Sequence, residues 1–156
     1  MLKKIITTLF FLLSFSIQAS ELIEGTVIGV HDGDTITLLI AGNQQIKVRL
    51  AQIDAPELAQ DFGQNAQQSL SELVMNKDIK VEKETIDKYG RTVGTLFVAG
   101  LDANREQVKR GMAWVYRQYM HDNTLLQAED NAKRTKLGLW TGQNPVAPWD
   151  FRHGGQ

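Results

Sequence analysis

Between Glu24 and Ile53 the chain alternates short apolar runs with turn residues, in the order GTVIGV, HDGD, TITLLI, AGNQ and IKVRLAQI. In TITLLI, Ile36, Leu38 and Ile40 alternate with Thr35, Thr37 and Leu39. That period of two marks a strand with one buried face. Asp32-Gly33 and Gly42-Asn43 are turn dipeptides, so the pattern predicts three antiparallel strands, the third running to Ile53. From Phe62 to Asn76 the period changes: Ala66, Leu70, Leu73 and Val74 fall at i, i+4, i+7 and i+8, the spacing of an amphipathic helix. DIKVEKETID and RTVGTLFVAG then form a second pair of strands around the turn from Asp87 to Gly90.

Asn104 with Gln107 three residues on reads as a helix N-cap and its reciprocal partner, opening a short helix that Gly111 stops. A further helix is expected to start near Asn123 or Thr124, to bury Leu125, Ala128 and Ala132, and to end at Gly138. The tail from 144 to 156, NPVAPWDFRHGGQ, reads as extended, with Trp149 and Phe151 pinned to the body. The fold expected is therefore α+β, mainly β. It is a five-stranded Greek-key barrel of the oligonucleotide/oligosaccharide-binding (OB) type with about three helices, spanning 20–143.

The first nineteen residues change the picture of where the chain works. Lys3 and Lys4, an apolar run from Ile5 to Phe15 and a small residue at Ala19 have the layout of a secretory signal cleaved near Ala19. The apolar run is shorter than a spanning helix needs and is broken by Thr7, Thr8 and Ser14. An exported protein, periplasmic or secreted and without stable membrane association after cleavage, is expected, as a monomer. The chain has no cysteine, so packing alone holds it, and lipid attachment through cysteine is excluded. Without Lys3 and Lys4 there are 15 basic residues against 18 acidic ones. A generic polyanion binder is therefore unlike this chain, and any nucleic-acid affinity needs local positive charge.

The acidic balance counts against a nucleic-acid-acting protein, and the candidate chemistry is weighed against it. Asp34 opens the second predicted strand, Asp54 closes the third, and Glu57 follows one short loop later. Adjacent antiparallel strands bring such ends together, and an all-oxygen donor set with no histidine or cysteine beside it suits Ca2+ or Mg2+ rather than zinc. Arg49 lies inside an apolar strand and Arg91 just after DKYG. Guanidinium forks match phosphate oxygens. Each residue also has a structural reading: Asp34 and Asp54 as turn formers, Glu57 and Arg91 as surface charges, and Arg49 as one half of an ion pair with Asp34 or Asp54. Together, cation, carboxylate and two arginines describe a phosphodiester hydrolase. Tyr89, Tyr116 and Tyr119 are aromatic surfaces on which bases can stack. His31, His121 and His153 lack metal-ligand spacing.

HDGDT, VRLAQIDAPE and DKYGR, in this order and with these separations, resemble the staphylococcal nuclease (thermonuclease) family, and the likeness runs from about Glu24 to Trp140. ELVMNKDIKVE, NREQVKRGMAWV and AKRTKLGLW match further family segments. The resemblance implies a Ca2+-dependent endonuclease that cuts DNA and RNA with little sequence specificity and leaves 3′-phosphate ends. By motif position it implies Asp34 and Asp54 as metal ligands with the backbone carbonyl of Ala55, where the family often has threonine. It further implies Glu57 as general base, Arg49 and Arg91 as phosphate-binding groups, and Tyr89 near the bound nucleotide. Arg117 stands where the best-known member has a nucleotide-contacting tyrosine, and the loop LAQDFGQ is shorter than in that member and has no lysine. The competing reading is a catalytically inactive barrel that binds nucleic acid or a protein partner. Degenerate copies of the domain usually lack the acids and arginines, and all five are present here.

Overall fold

The structure, a computed structural model, describes residues 21–154; the predicted signal, residues 1–19, lies outside them. Strands β1 (Glu21–Val30), β2 (Thr35–Ile40) and β3 (Gln44–Leu50) form the expected antiparallel meander. Helix α1 (Gly63–Val74) follows, then β5 (Asp78–Ile86) and β6 (Thr92–Val98). The sheet order is β3-β2-β1-β5-β6, and a parallel pairing of β3 with β6 closes it into a five-stranded barrel. Alternation along each strand turns one set of side chains inward. Val27, Ile36, Leu38, Val48, Leu50, Val81 and Leu96 are all fully buried. Helix α1 puts Ala66, Leu70, Leu73 and Val74 into the same core, the face that its spacing predicts.

The third strand is shorter than expected. It stops at Leu50, Gln52 takes a left-handed conformation (φ 65°), and Ile53–Asp54 becomes a separate strand, β4. Its partner is β8 (Trp114–Val115), with Asp54 opposite Trp114. A two-residue strand β7 (Leu101–Asp102) extends the edge of β6.

Four α-helices are present among the described residues. In α2 (Ala103–Lys109) the expected Asn104/Gln107 cap is replaced: Asp102 is the N-cap and accepts from the Arg105 amide at 2.9 Å. Asn104 and Gln107 are buried instead. Asn104 Oδ1 accepts from Leu96 N at 3.0 Å, and its Nδ2 donates to Ala51 O and Gly94 O at 3.0 and 3.2 Å. Gln107 Nε2 donates to Gly33 O at 2.8 Å and to Ala66 O at 3.0 Å. These two amides tie the carbonyls of the Gly33 turn, of Ala51, of Gly94 and of helix α1 to α2, so their own buried polar groups are satisfied.

Helix α3 (Asn123–Arg134) is capped by Asp122 and buries Leu125, Ala128 and Ala132 as expected. It ends at Arg134, four residues before Gly138, and a 3-10 turn, Gly138–Thr141, follows. It also buries Glu129, whose carboxylate accepts from Val115 N at 2.9 Å and from Arg117 and Lys133 at 2.8 Å each. The expectation of an extended tail is corrected: Pro148–Arg152 forms helix α4. Proline at a first helical position is pre-set for that conformation. Trp149 is pinned, stacked on Tyr116, but Phe151 is exposed.

Candidate active site

Barrel closure assembles the site from segments far apart in sequence. Opposite Arg49, on one side, stands Thr35, the residue after Asp34; on the other side is Val93, two residues after Arg91. One strand pairing thus brings the acidic turn to Arg49, and the other brings the second arginine. The turns are pressed tightly together. A side chain at Gly33 would come within 2.6 Å of the Cβ atoms of both Ala55 and Ala66. One at Gly63, the first residue of α1, would collide with the Glu57 carbonyl. Glycine at these two positions lets the Asp34 turn and the Glu57 loop approach.

A cleft of about 950 Å3 lies across the barrel mouth, and Asp34, Arg49, Asp54, Ala55, Glu57 and Arg91 all line it. Asp34 Oδ2 accepts from the Ala55 amide at 2.7 Å and Asp34 Oδ1 from the Thr35 hydroxyl at 3.0 Å. Arg49 Nη1 donates to the carbonyls of Leu50 and Ile53 at 2.7 and 2.9 Å, which staples the turn that detaches β4 from β3. Its Nη2 donates to Asp54 Oδ1 at 3.0 Å and lies 3.6 Å from Asp34 Oδ2. The structural reading of Arg49 is therefore also fulfilled, with both acids. Three of its five donors are engaged in this way, and the Nε and second Nη2 donors make no further hydrogen bond among the described residues. Burial works against the Arg49 cation, but Asp34 and Asp54 outweigh it and hold its pKa above the ordinary value.

The acids crowd one another. Burial, and then the negative charge of Asp34, push the carboxyl of Asp32 up to about 6. Burial is also the main cause that raises Asp54, with Asp34 adding to it against the bonds from Arg152 and Arg49. Asp54 accepts from two guanidinium groups at 3.0 and 2.7 Å, the contacts of a carboxylate anion. A cation relieves such crowding, and the donors are oxygen, so a hard divalent ion fits this chemistry. Among the described residues no three acidic or histidine side chains stand in ready coordination. An ion here would rest on Asp34 and Asp54 and draw its remaining ligands from backbone oxygen and water.

Tyr89 lines the cleft and is largely exposed, with the Arg91 guanidinium 5.4 Å from its ring centroid. Tyr119 also lines it, edge-on to Tyr116 at 4.8 Å. Arg117 does not belong to the cleft lining. Its guanidinium pairs with the buried Glu129 carboxylate at 2.8 Å.

Comparison with known proteins gives the family. A family model described as "Staphylococcal nuclease homologue" matches residues 47–142. An "Uncharacterized endonuclease" of Haemophilus influenzae is 46% identical over 126 residues, covering 81% of this chain and 71% of that protein. A "Micrococcal nuclease" of Shigella flexneri is 38% identical over 148 residues, covering 88% and 84%. An "Uncharacterized endonuclease" of Escherichia coli O157:H7 is 36% identical over 153 residues, covering 97% and 99%. The chain belongs to the staphylococcal nuclease family.

In this staphylococcal nuclease homologue, three residues of the cleft escaped the reading of the sequence. Asp32 receives the Asp34 amide at 2.9 Å and so shapes the DGD turn. Its signal was present in the motif, hidden behind the commoner role of Asp-Gly as a turn. Arg152, from α4, bonds to Asp54 and Glu57, and nothing local announces it. Asp87 receives the amides of Tyr89 and Arg91 at 2.9 and 3.0 Å, and its Oδ2 accepts from Arg91 Nε at 2.8 Å. Although burial resists, these bonds hold its carboxyl below the usual carboxylate range. The contribution of Asp87 to stability is therefore present above the ordinary carboxylate pKa and disappears only as pH falls through its lower folded value.

Asp87 fixes the position of the Arg91 guanidinium. Asp87→Asn is expected to lower kcat/KM about tenfold, the low end of what one charge-assisted hydrogen bond is worth. Steady-state kinetics on an oligonucleotide, with a thermal melt beside them, checks this; an unchanged kcat/KM refutes it.

Proposed function

We propose that this chain is a calcium-dependent endonuclease that hydrolyses phosphodiester bonds of DNA and RNA with little sequence specificity and leaves 3′-phosphate ends. One observation carries the reading: the guanidinium groups of Arg49 and Arg91 and the carboxylates of Asp34, Asp54 and Glu57 line one cleft at the barrel mouth, alongside Arg152, Asp32, Glu84 and Asp87. Membership of the nuclease family and the endonuclease names of its relatives support the reaction class. The residues at its amino terminus support export to the periplasm or beyond.

Asp34, Asp54 and the Ala55 carbonyl would hold the ion. Bound there, Ca2+ supplies Lewis-acid polarisation of a phosphoryl oxygen. Glu57, at the mouth and partly exposed, takes the proton of the attacking water at its carboxylate. Arg91 and the two remaining donors of Arg49 bind the phosphoryl oxygens, and they bind them more tightly as negative charge grows there. Tyr89 and Tyr119 flank the cleft as stacking surfaces for bases. Arg49, Lys88, Arg91 and Arg152 bring positive charge into a cleft that Asp32, Asp34, Asp54, Glu57, Glu84 and Asp87 also line, and a bound divalent ion would add to it.

The test is incubation of the purified protein with supercoiled plasmid and with RNA. Cleavage is expected with Ca2+, is lost in excess chelator and returns when Ca2+ is restored. The products should resist polymerase extension until a phosphatase removes their 3′-phosphates and exposes 3′-hydroxyls. Cleavage retained in chelator would reject the metal mechanism. The absence of cleavage with every divalent ion would favour an inactive binding module.

A further inference from the structure

Helix α4 forms one wall of the active-site cleft, and several contacts hold it there. Ala147 and Pro148 are buried. Gln60 Nε2 donates to Val146 O at 2.6 Å. Trp149 lies almost parallel to Tyr116, with planes 13° apart and centroids 5.3 Å apart, and meets Trp114 edge-on at 5.7 Å. This seating points Arg152 at the acids. Arg152 Nη2 donates to Asp54 Oδ2 at 2.7 Å, while Nη1 donates to Glu57 Oε1 at 2.8 Å and to Asp54 Oδ1 at 3.3 Å. One guanidinium therefore occupies both oxygens of a proposed metal ligand and one oxygen of the proposed base.

We propose that α4 is a tethered strap whose Arg152 competes with the divalent cation for Asp54 and occupies Glu57, so that filling the metal site releases the tail from the cleft. The inference rests on Asp34 and Asp54 being the cation's ligands. The physical reason is exclusion. Arg49 and Arg152 together place three N–H groups on Asp54, against about four lone-pair sites on a carboxylate. A divalent ion taking its place on Asp54 would stand directly against the Arg152 charge, which Arg152, held only through the tail, can relieve by leaving. A tethered competitor also works at high effective concentration, and the apparent affinity for the free competitor falls by the fraction of time that the site is open. Trp149 adds a second consequence: it covers one face of Tyr116, an aromatic surface of the same cleft. With the strap seated, the metal ligand, the base and this ring are all occupied by the protein itself.

The experiment measures Ca2+ binding to the full chain by calorimetry, without substrate. Arg152→Gln is expected to bind Ca2+ at least about tenfold more tightly than the parent chain, as a site open one-tenth of the time requires. Lys88→Gln removes a positive charge from the same cleft lining without touching Asp54 or Glu57 and is expected to shift affinity by less than about threefold, the scale of a screened, exposed charge. In parallel, Ca2+ should change tryptophan emission in the parent chain, and the change should be lost in Trp149→Phe. Equal tightening in the two charge variants, an unchanged or weaker affinity in Arg152→Gln, or a Trp149 signal that Ca2+ leaves unmoved overturns the strap while leaving the metal site standing. If neither the parent nor Arg152→Gln binds Ca2+, the metal reading falls and the strap falls with it.

Discussion

Arg49→Ala is expected to lower turnover on the order of 100 to 1000-fold and, at the same time, to cost about 3 kcal/mol of stability. The first effect follows from the proposed role of the guanidinium against the growing charge of the phosphoryl group. The second follows from where it sits: Arg49 is 15% exposed and is bonded to Leu50 O, Ile53 O and Asp54. Without it, two carbonyls of the turn lose their donor and Asp34 and Asp54 lose a neutralising charge. Arg152 still reaches Asp54, which is why the low end of the range for a broken buried pair applies. Arg49→Lys separates the two effects. It keeps a positive charge but cannot place donors on both carbonyls, an acid and a phosphate at once, so stability should recover further than turnover. Single-turnover kinetics and denaturant unfolding of both variants check this. An alanine variant that unfolds like the parent chain and retains turnover within tenfold would show that Arg49 does neither job.

The double duty of Arg49 marks the boundary of what the sequence could reveal. Local periodicity was enough for β2, where Ile36 and Leu38 are buried as the alternation requires, and for α1, whose four apolar positions all reach the core. It was also enough to single out Arg49, because an arginine among Val48 and Leu50 breaks the pattern of a strand built only for packing. What periodicity lacks is any knowledge of distant partners. The break after Leu50 depends on the left-handed Gln52 and on the pairing of Asp54 with Trp114, sixty residues away. Asn104 and Gln107 have the spacing of a helix cap, but the cap lies two residues earlier and their amides serve carbonyls of other segments. Glu129 looks like a surface position of α3 until Val115, Arg117 and Lys133 are found around it. Arg152 is the extreme case: its partner Asp54 lies 98 residues earlier, and the tail around it carries no pattern that would reveal the contact.

Glu57→Gln provides the contrasting prediction: turnover lower by about 100 to 1000-fold, by analogy with the loss of a single stabilising donor and the general range for acid-base groups, with the fold undisturbed. The side chain of Glu57 is 39% exposed and, among the described residues, its one hydrogen bond is to Arg152. The neighbouring loop is fixed by main-chain contacts that the amide leaves in place, among them the Gln60 amide donating to Glu57 O at 2.8 Å and Gly63 closing on Gln60 O at 2.9 Å. Glutamine preserves shape and removes the proton acceptor, so a loss confined to kcat, with KM and melting temperature held, is the result that assigns the base. A raised KM with kcat intact would instead make Glu57 a group that binds substrate, and a lowered melting temperature would return it to a structural role. The comparison with Arg49 is the informative part: one residue is expected to fail in chemistry alone, the other in chemistry and folding together, because the first stands at the rim of the cleft while the second is also the staple that builds it.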